Sequence, residues 1–347
     1  MSLASAIRTR DLTELPSRRD EDWRWSDLRA LIRVMPPASP AVATAAENPV
    51  LAGIEGARIL YVNGRLIDGD AVRIPATGKG AFVRRFVSVS EGTAHHLDAP
   101  VEVEAGGRLT LIDSFEGQAG GYLASAVGAI RVGEGAVVER IVLFDEPEDA
   151  VSVARFEVML SPGAIYSQTV LACGAKRQRI ETLVRHPGAG ASVRLDGAYL
   201  LGGARHSDQT TAVTHAGPGG ETLQLCKGVA ADRARAVFQG RIVVEAGADG
   251  TDARMSHHGL ILSDRAEIDA KPELLIYADD VQCAHGNTIG ALDPEAIFYA
   301  RSRGLPEAAA KALMTAAFIG AVVERIEHQS AQGMARAWVE TKLQGLI

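Results

Sequence analysis

Cys283 and His285 are the residues whose types and spacing most suggest chemistry in this 347-residue chain. They stand two apart in YADDVQCAHGNTIG, Tyr277 to Gly290. Read as a strand from Tyr277 to His285, the segment turns both side chains, with Val281, toward one space, about 7 Å apart along the strand. A thiolate beside an imidazole suits soft and borderline metals. Neither residue has a second local ligand at zinc-finger spacing, and two buried small polar side chains are the commoner meaning of such a pair. His285 and Cys283 are therefore a candidate metal site whose completion depends on what surrounds them.

The thiol inventory sets a limit. An all-cysteine iron–sulfur cluster commonly takes four ligands, and the chain holds only Cys173, Cys226 and Cys283. Any such cluster would need ligands from a partner. Three widely spaced cysteines form no disulfide framework and point to a reducing, cytoplasmic compartment. Other candidates are weaker. His257 and His258, like His95 and His96, are adjacent and read as surface turns. Asp279 and Asp280 read as a solvated strand end. TGKG, Thr77 to Gly80, lacks the flanking residues of a phosphate-binding loop, and neither a Gly-x-Ser-x-Gly elbow nor a His-Glu-x-x-His helix is present.

Bulk properties exclude further classes. A net charge of −7 argues against nucleic-acid binding. The N-terminus shows no apolar signal region. The longest apolar run, ALMTAAFIGAVV (Ala312 to Val323), is shorter than the roughly 20 residues of a membrane span.

The elements that must position the pair come from a repeat. Glycines 107, 135, 163, 190, 219 and 247 close strand-like runs at spacings of 28, 28, 27, 29 and 28 residues. Alternating apolar segments follow most of them. Alternation marks strands with one buried face, and fixed spacing marks units that bury that face by stacking. The fold class expected is mainly β: a right-handed parallel β-helix, or solenoid, with N-terminal and C-terminal helical regions. An antiparallel sandwich is the competing fold. The expected divisions are residues 1–98 (helical region, linker and first strands), 99–292 (β-helix core) and 293–347 (helical region).

At the front, SRRDEDWRWSDLRALI reads as an amphipathic segment, and ARILYVNGRL as a hairpin or early strand. At the back, Asp293 caps a helix opened by Pro294 and ended by Gly304. Pro306 and Glu307 open a longer one, with Leu313, Ala317 and Ala321 or Met314, Phe318 and Val322 as its apolar face. A third, short helix is expected after Gly333.

Two stretches carry a family resemblance. AEIDAKPELLIYADDVQCAHGNTIGALDPEAIFYARSRGL (Ala266 to Leu305) closely resembles the signature of the SufB/SufD family of iron–sulfur cluster assembly proteins. PSRRDEDWRWSDLRAL (Pro16 to Leu31) looks like the start of SufD rather than SufB members. The resemblance implies a parallel β-helix between helical ends and a complex with a SufB-like subunit and a SufC-like ABC-type ATPase. It further implies that His285, with Cys283 secondary, lies at the junction of the two β-helices, where a transient cluster is built and no cofactor is tightly held by the lone chain. Docking of the ATPase would fall on the C-terminal helices, Pro294 to Glu327, including Tyr299, Arg301, Arg303 and Phe318. Ala284 replaces the serine frequent at that position in the family, which removes any role for a hydroxyl there. A non-catalytic scaffold subunit is the expectation. The alternatives are a homodimeric structural protein without a cluster role and a polysaccharide-acting β-helix enzyme.

Overall fold

The computed structural model describes residues 2–346. Parallel strand pairing runs without interruption from Ala57 to Gly290, in one sheet of ten strands and one of nine. From Arg108 onward, successive strands fall in opposite sheets, so each coil contributes one strand to each. The chain is a parallel β-solenoid of about eight turns. Register confirms the coil length: Ile165 lies beside Ser192, 27 residues on, and Glu221 beside Asp252, 31 residues on.

Corner geometry explains the glycine spacing. Gly135, Gly163, Gly190, Gly219 and Gly247 all take positive φ, between 60° and 84°. In the first corner the left-handed residue is Gly106 (φ 66°), one before the glycine that the spacing selected. At Gly135, Gly190, Gly219 and Gly247 an added Cβ would meet nothing within 4 Å, so backbone conformation rather than space demands glycine there. The corners also hydrogen-bond to one another along the solenoid: the amides of Gly106, Gly135 and Gly163 donate to carbonyls of the next coil.

Inside, the register stacks like on like. Tyr61, Phe86, Phe115 and Phe144 are successive Cα partners, and their rings stack at 5.0, 4.6 and 4.4 Å. Such a ladder fixes register, because a one-residue slip would turn every ring outward.

The two outer faces are covered by the two chain ends. The ten-stranded sheet carries helices α3 (Glu307–Val323) and α4 (Gln329–Gln344), whose Ile319, Val322, Trp338 and Val339 bury Ile112, Ile141, Leu171 and Leu200. Helix α2 (Pro294–Ser302) precedes them and buries none of its residues. Asp293 caps α2 through its carboxylate, Gly304 (φ 93°) follows it, and Pro306 precedes α3, as expected. Two expectations fail here. The buried stripe of α3 is Thr315, Ile319, Val322 and Val323, leaving Leu313 at 61% exposure. Helix α4 starts before Gly333, because the His328 ring accepts the amide of Ala331 and supplies an earlier cap.

The nine-stranded sheet is covered by the N-terminal segment, which is less helical than its amphipathic pattern suggests. Beyond α1 (Leu3–Thr9), the stretch around Trp23 forms only a short 3-10 turn, Glu21–Trp23. Its side chains serve the sheet instead. The Trp23 ring lies 4.2 Å from the Arg179 guanidinium carbon, and the Ser26 hydroxyl donates to buried Asp208. Glu21 and Asp22 reach Lys271 and Arg241 on the last two strands of that sheet. Trp23→Ala is expected to cost about 2 kcal/mol and to speed amide exchange in Glu267–Ile276. Unchanged exchange there would show that this strap does not hold the final coil.

ARILYVNGRL is both hairpin and early strand. Ala57–Val62 pairs antiparallel with Arg65–Asp68 through Asn63-Gly64, both at positive φ, and parallel with Lys79–Ser88.

Candidate functional site at the open end of the solenoid

The strand carrying the Cys–His pair begins later than the sequence suggests. It runs Val281–Gly290, while Tyr277–Asp280 forms the link from the preceding strand, Glu267–Ile276. Asp280 belongs to the corner column, its carbonyl accepting the Gly250 amide, so the two adjacent acids sit at a turn and not within a strand.

Alternation places the pair nonetheless. Cys283 is the register partner of Ala253, and His285 of Met255, both buried in the solenoid core. Both side chains therefore extend inward-facing columns, with Val281 before them and Asn287 after them. Being on the last coil, these columns have no further layer above them: His285 and Asn287 are exposed and Cys283 is half-buried. Burial pushes the Cys283 thiol up, which disfavours the thiolate needed for metal or sulfur chemistry and leaves it the weaker donor of the two. Among the described residues no group of three or more His, Cys, Asp or Glu side chains could hold a metal ion, so the pair gains no third ligand of those types.

The backbone is equally open. Val281–Gly290 is the last strand of the ten-stranded sheet and Glu267–Ile276 the last of the nine-stranded one. Each has a neighbour on one side only among the described residues. Ten-residue edges of this kind are templates for pairing with another chain. Apolar side chains crowd the same end: Leu275, Ile276, Tyr277 and Ile289 are 39–65% exposed. The opposite end of the ten-stranded sheet is blunted by the antiparallel strand Arg65–Asp68.

Of the other positions singled out, Tyr299, Arg301 and Arg303 lie exposed on or just after α2, with the Arg303 guanidinium 5.2 Å from the Tyr299 ring and Arg301 paired to Glu307. Phe318 is apart from them. It packs partly against the outer face of the ten-stranded sheet, 4.5 Å beneath Lys227 Nζ. Phe298, at 72% exposure, is the aromatic beside Tyr299 that the sequence pattern did not single out.

The histidine pairs are not surface turns. His95 and His96 lie on the strand Ala94–Asp98, and His257 and His258 on Thr251–Ile261. His258 faces outward, bonded to Thr288, whereas His257 is fully buried directly beneath Asn287. Adjacent residues on a strand must point to opposite faces, and the glycines that would have made a turn here are absent. Asn287 is the site residue missed; continuing the alternation Cys283, His285 by two positions reaches it.

The SufBD core domain of the SUF FeS cluster assembly system matches residues 86–318. The chain is 26% identical to an iron–sulfur cluster assembly SufBD family protein of Synechocystis, over 94% of this chain and 87% of that one. It is 25% identical to the SufD protein of Escherichia coli over 96% and 90% of the two chains. To the Bacillus subtilis SufD protein it is 33% identical over 41% of this chain and 32% of the other. No helix in the described residues is long and apolar enough to cross a membrane. A two-sheet parallel solenoid ending in an open coil, matched by that core domain over most of its length, belongs to the SufBD family and has a role in iron–sulfur cluster assembly.

Proposed function

We propose that this chain is a scaffold subunit that works at a seam. Its last coil pairs, edge to edge, with the terminal coil of a SufB-like solenoid, and His285 supplies a ligand or proton-handling group to the cluster built between them. Cys283 stands behind it as a secondary donor. The observation that carries this is the uncovered last coil: two unpaired ten-residue edges flank an inward column, Cys283 and His285, that points into space this chain does not fill. Main-chain pairing along the edges gives affinity, and the apolar Leu275, Ile276, Tyr277 and Ile289 give buried area.

The second contact is with a SufC-like ABC-type ATPase. Helix α2 buries nothing and presents Phe298, Tyr299, Arg301 and Arg303, while Leu313 of α3 stands exposed beside it in sequence. An exposed aromatic and arginine set is the composition of interface hot spots. Its position, in the segment immediately after the open coil, connects an ATP-driven motion to the seam. Phe318 anchors α3 to the solenoid, so its place in this scheme is to transmit rather than to touch. The same open edge can pair with a second copy of this chain when the SufB-like partner is missing. The cluster is transient cargo in this scheme.

His285→Ala in the anaerobically reconstituted complex is expected to leave assembly with both partners intact and to lower bound iron and sulfide at least tenfold. A complex of normal composition with normal cluster yield would remove His285 from the assembly site.

A further inference from the structure

Beneath the open end lies a hydrogen-bonded chain of three side chains on three successive coils of one sheet. The Tyr199 hydroxyl is 3.0 Å from His257 Nε2, and His257 Nδ1 is 2.7 Å from Asn287 Oδ1. Phe238 stacks on the imidazole at 4.8 Å, with ring planes 7° apart, so the ring is fixed in place. Tyr199 is 1% exposed and His257 fully buried, whereas Asn287 stands at the solvent-facing end of the column.

The direction of this chain follows from its buried end. Burial holds Tyr199 protonated, and its hydroxyl has no hydrogen-bond partner except His257. A buried hydroxyl proton without an acceptor is costly, so Tyr199 donates to Nε2. His257 is neutral at pH 7, its pKa lowered to about 4 by burial, and therefore carries one ring proton. With Nε2 accepting, that proton is on Nδ1 and is donated to Asn287 Oδ1. The amide of Asn287 is thereby locked with its oxygen inward and its NH2 group outward. The reverse polarity would leave the tyrosine proton stranded in the core.

We infer that Asn287 is a further binding residue of the open end: a pre-aimed N–H donor to an anionic sulfur, the sulfide of a nascent cluster. His257 and Tyr199 are its positioning residues. This rests on the proposed assembly role and adds to it a donor two positions beyond His285 on the same inward column. Anionic sulfide accepts hydrogen bonds, and an amide whose orientation is paid for inside the fold loses nothing on binding.

The test has two arms. In the isolated full chain with 15N-labelled histidine, the His257 ring is expected as the Nδ1–H tautomer, and Tyr199→Phe is expected to give a mixture. An Nε2–H ring in the wild-type chain would overturn the inference whatever the cluster data say. In the complex reconstituted with ferrous iron and inorganic sulfide, Asn287→Ala and Asn287→Asp are each expected to lower bound sulfide about tenfold, the loss of one hydrogen bond to a charged acceptor. Asp keeps the bond from His257 yet removes the NH2. Wild-type yield in Asn287→Ala, with yield lost in His285→Ala, would overturn the inference and leave the assembly role standing. Wild-type yield in His285→Ala, with the Nδ1–H tautomer present and yield lost in both Asn287 variants, would leave the donor in place and refute the ligand role of His285.

Discussion

Asp113→Asn is expected to cost about 3–5 kcal/mol, a large part of what a domain of this kind has. Asp113 lies between the sheets, fully buried, and accepts from two arginines that are themselves 1% exposed. Arg84 binds it through Nε and Nη2 at 2.7 and 2.8 Å, and Arg140 through Nε at 2.8 Å. Against the upward push of burial, these two charges hold the carboxyl below its usual range. The remaining donors are spent as well: Arg84 Nη1 on the Ala99 carbonyl, Arg140 Nη1 on Gln168, which continues to Thr182 in the facing sheet. The Arg140 guanidinium carbon sits 3.7 Å from the centre of the Phe156 ring. Asparagine keeps the shape and removes the charge that two desolvated cations require. Urea denaturation of the single variant tests the size of the loss. The decisive comparison is the triple replacement Arg84→Met, Asp113→Leu, Arg140→Met, which removes all the charges together. It is expected to recover most of the loss, because a buried ion group is dear to break and seldom better than apolar packing. An Asp113→Asn chain as stable as wild type would mean that water reaches this part of the core.

The coil spacing was legible because its cause is local. Positive φ at each corner selects glycine, and period-two alternation marks the strands between. The interior columns were not legible, since a polar residue in a strand looks alike whether it faces water or a partner on the next coil. Arg84, Asp113, Arg140 and Asp208 read as surface charges until the 27–31-residue register aligns them. The site shows the same division. Cys283 and His285 were found on one face by alternation alone, although the strand boundary was set four residues early. Asn287 went unnoticed because its meaning lies in His257, thirty residues earlier in sequence and one layer below in space. Around Trp23 the amphipathic pattern misled: the apolar and charged side chains were matched to a sheet surface instead of to a helix-packing stripe.

Acid is expected to unfold this solenoid at a pH where most of its carboxylates are still charged. Four buried histidines have pKa values pulled down by burial, His95 and His257 to about 4, His206 and His215 to about 3. Each sits where a charged ring would find no water. His95 lies between the Ser39 and Ser88 hydroxyls, His206 donates to the Trp25 carbonyl, and His215 meets Thr222 while stacking on His186 at 4.4 Å. In the unfolded chain each takes a proton near pH 6.5. Between that pH and the folded values the unfolded state binds more protons, so stability is complete above about pH 7 and falls as pH drops. At pH 5 the loss is roughly 2 kcal/mol per histidine and at most about 8 kcal/mol for the four, comparable with a whole domain's stability. Glu146 and Asp196 act oppositely, since burial raises both and protonation then favours the fold, so the histidine effect is best isolated between pH 7 and 5. Urea midpoints measured across that interval should fall steeply, with an unchanged slope per molar urea. His215→Asn, which keeps a hydrogen-bonding group for Thr222 without a titrating ring, should flatten the fall by about a quarter. A midpoint that stays level from pH 7 to 5 would mean these rings reach solvent, and with that the dry interior on which the orientation of Asn287 depends would be lost.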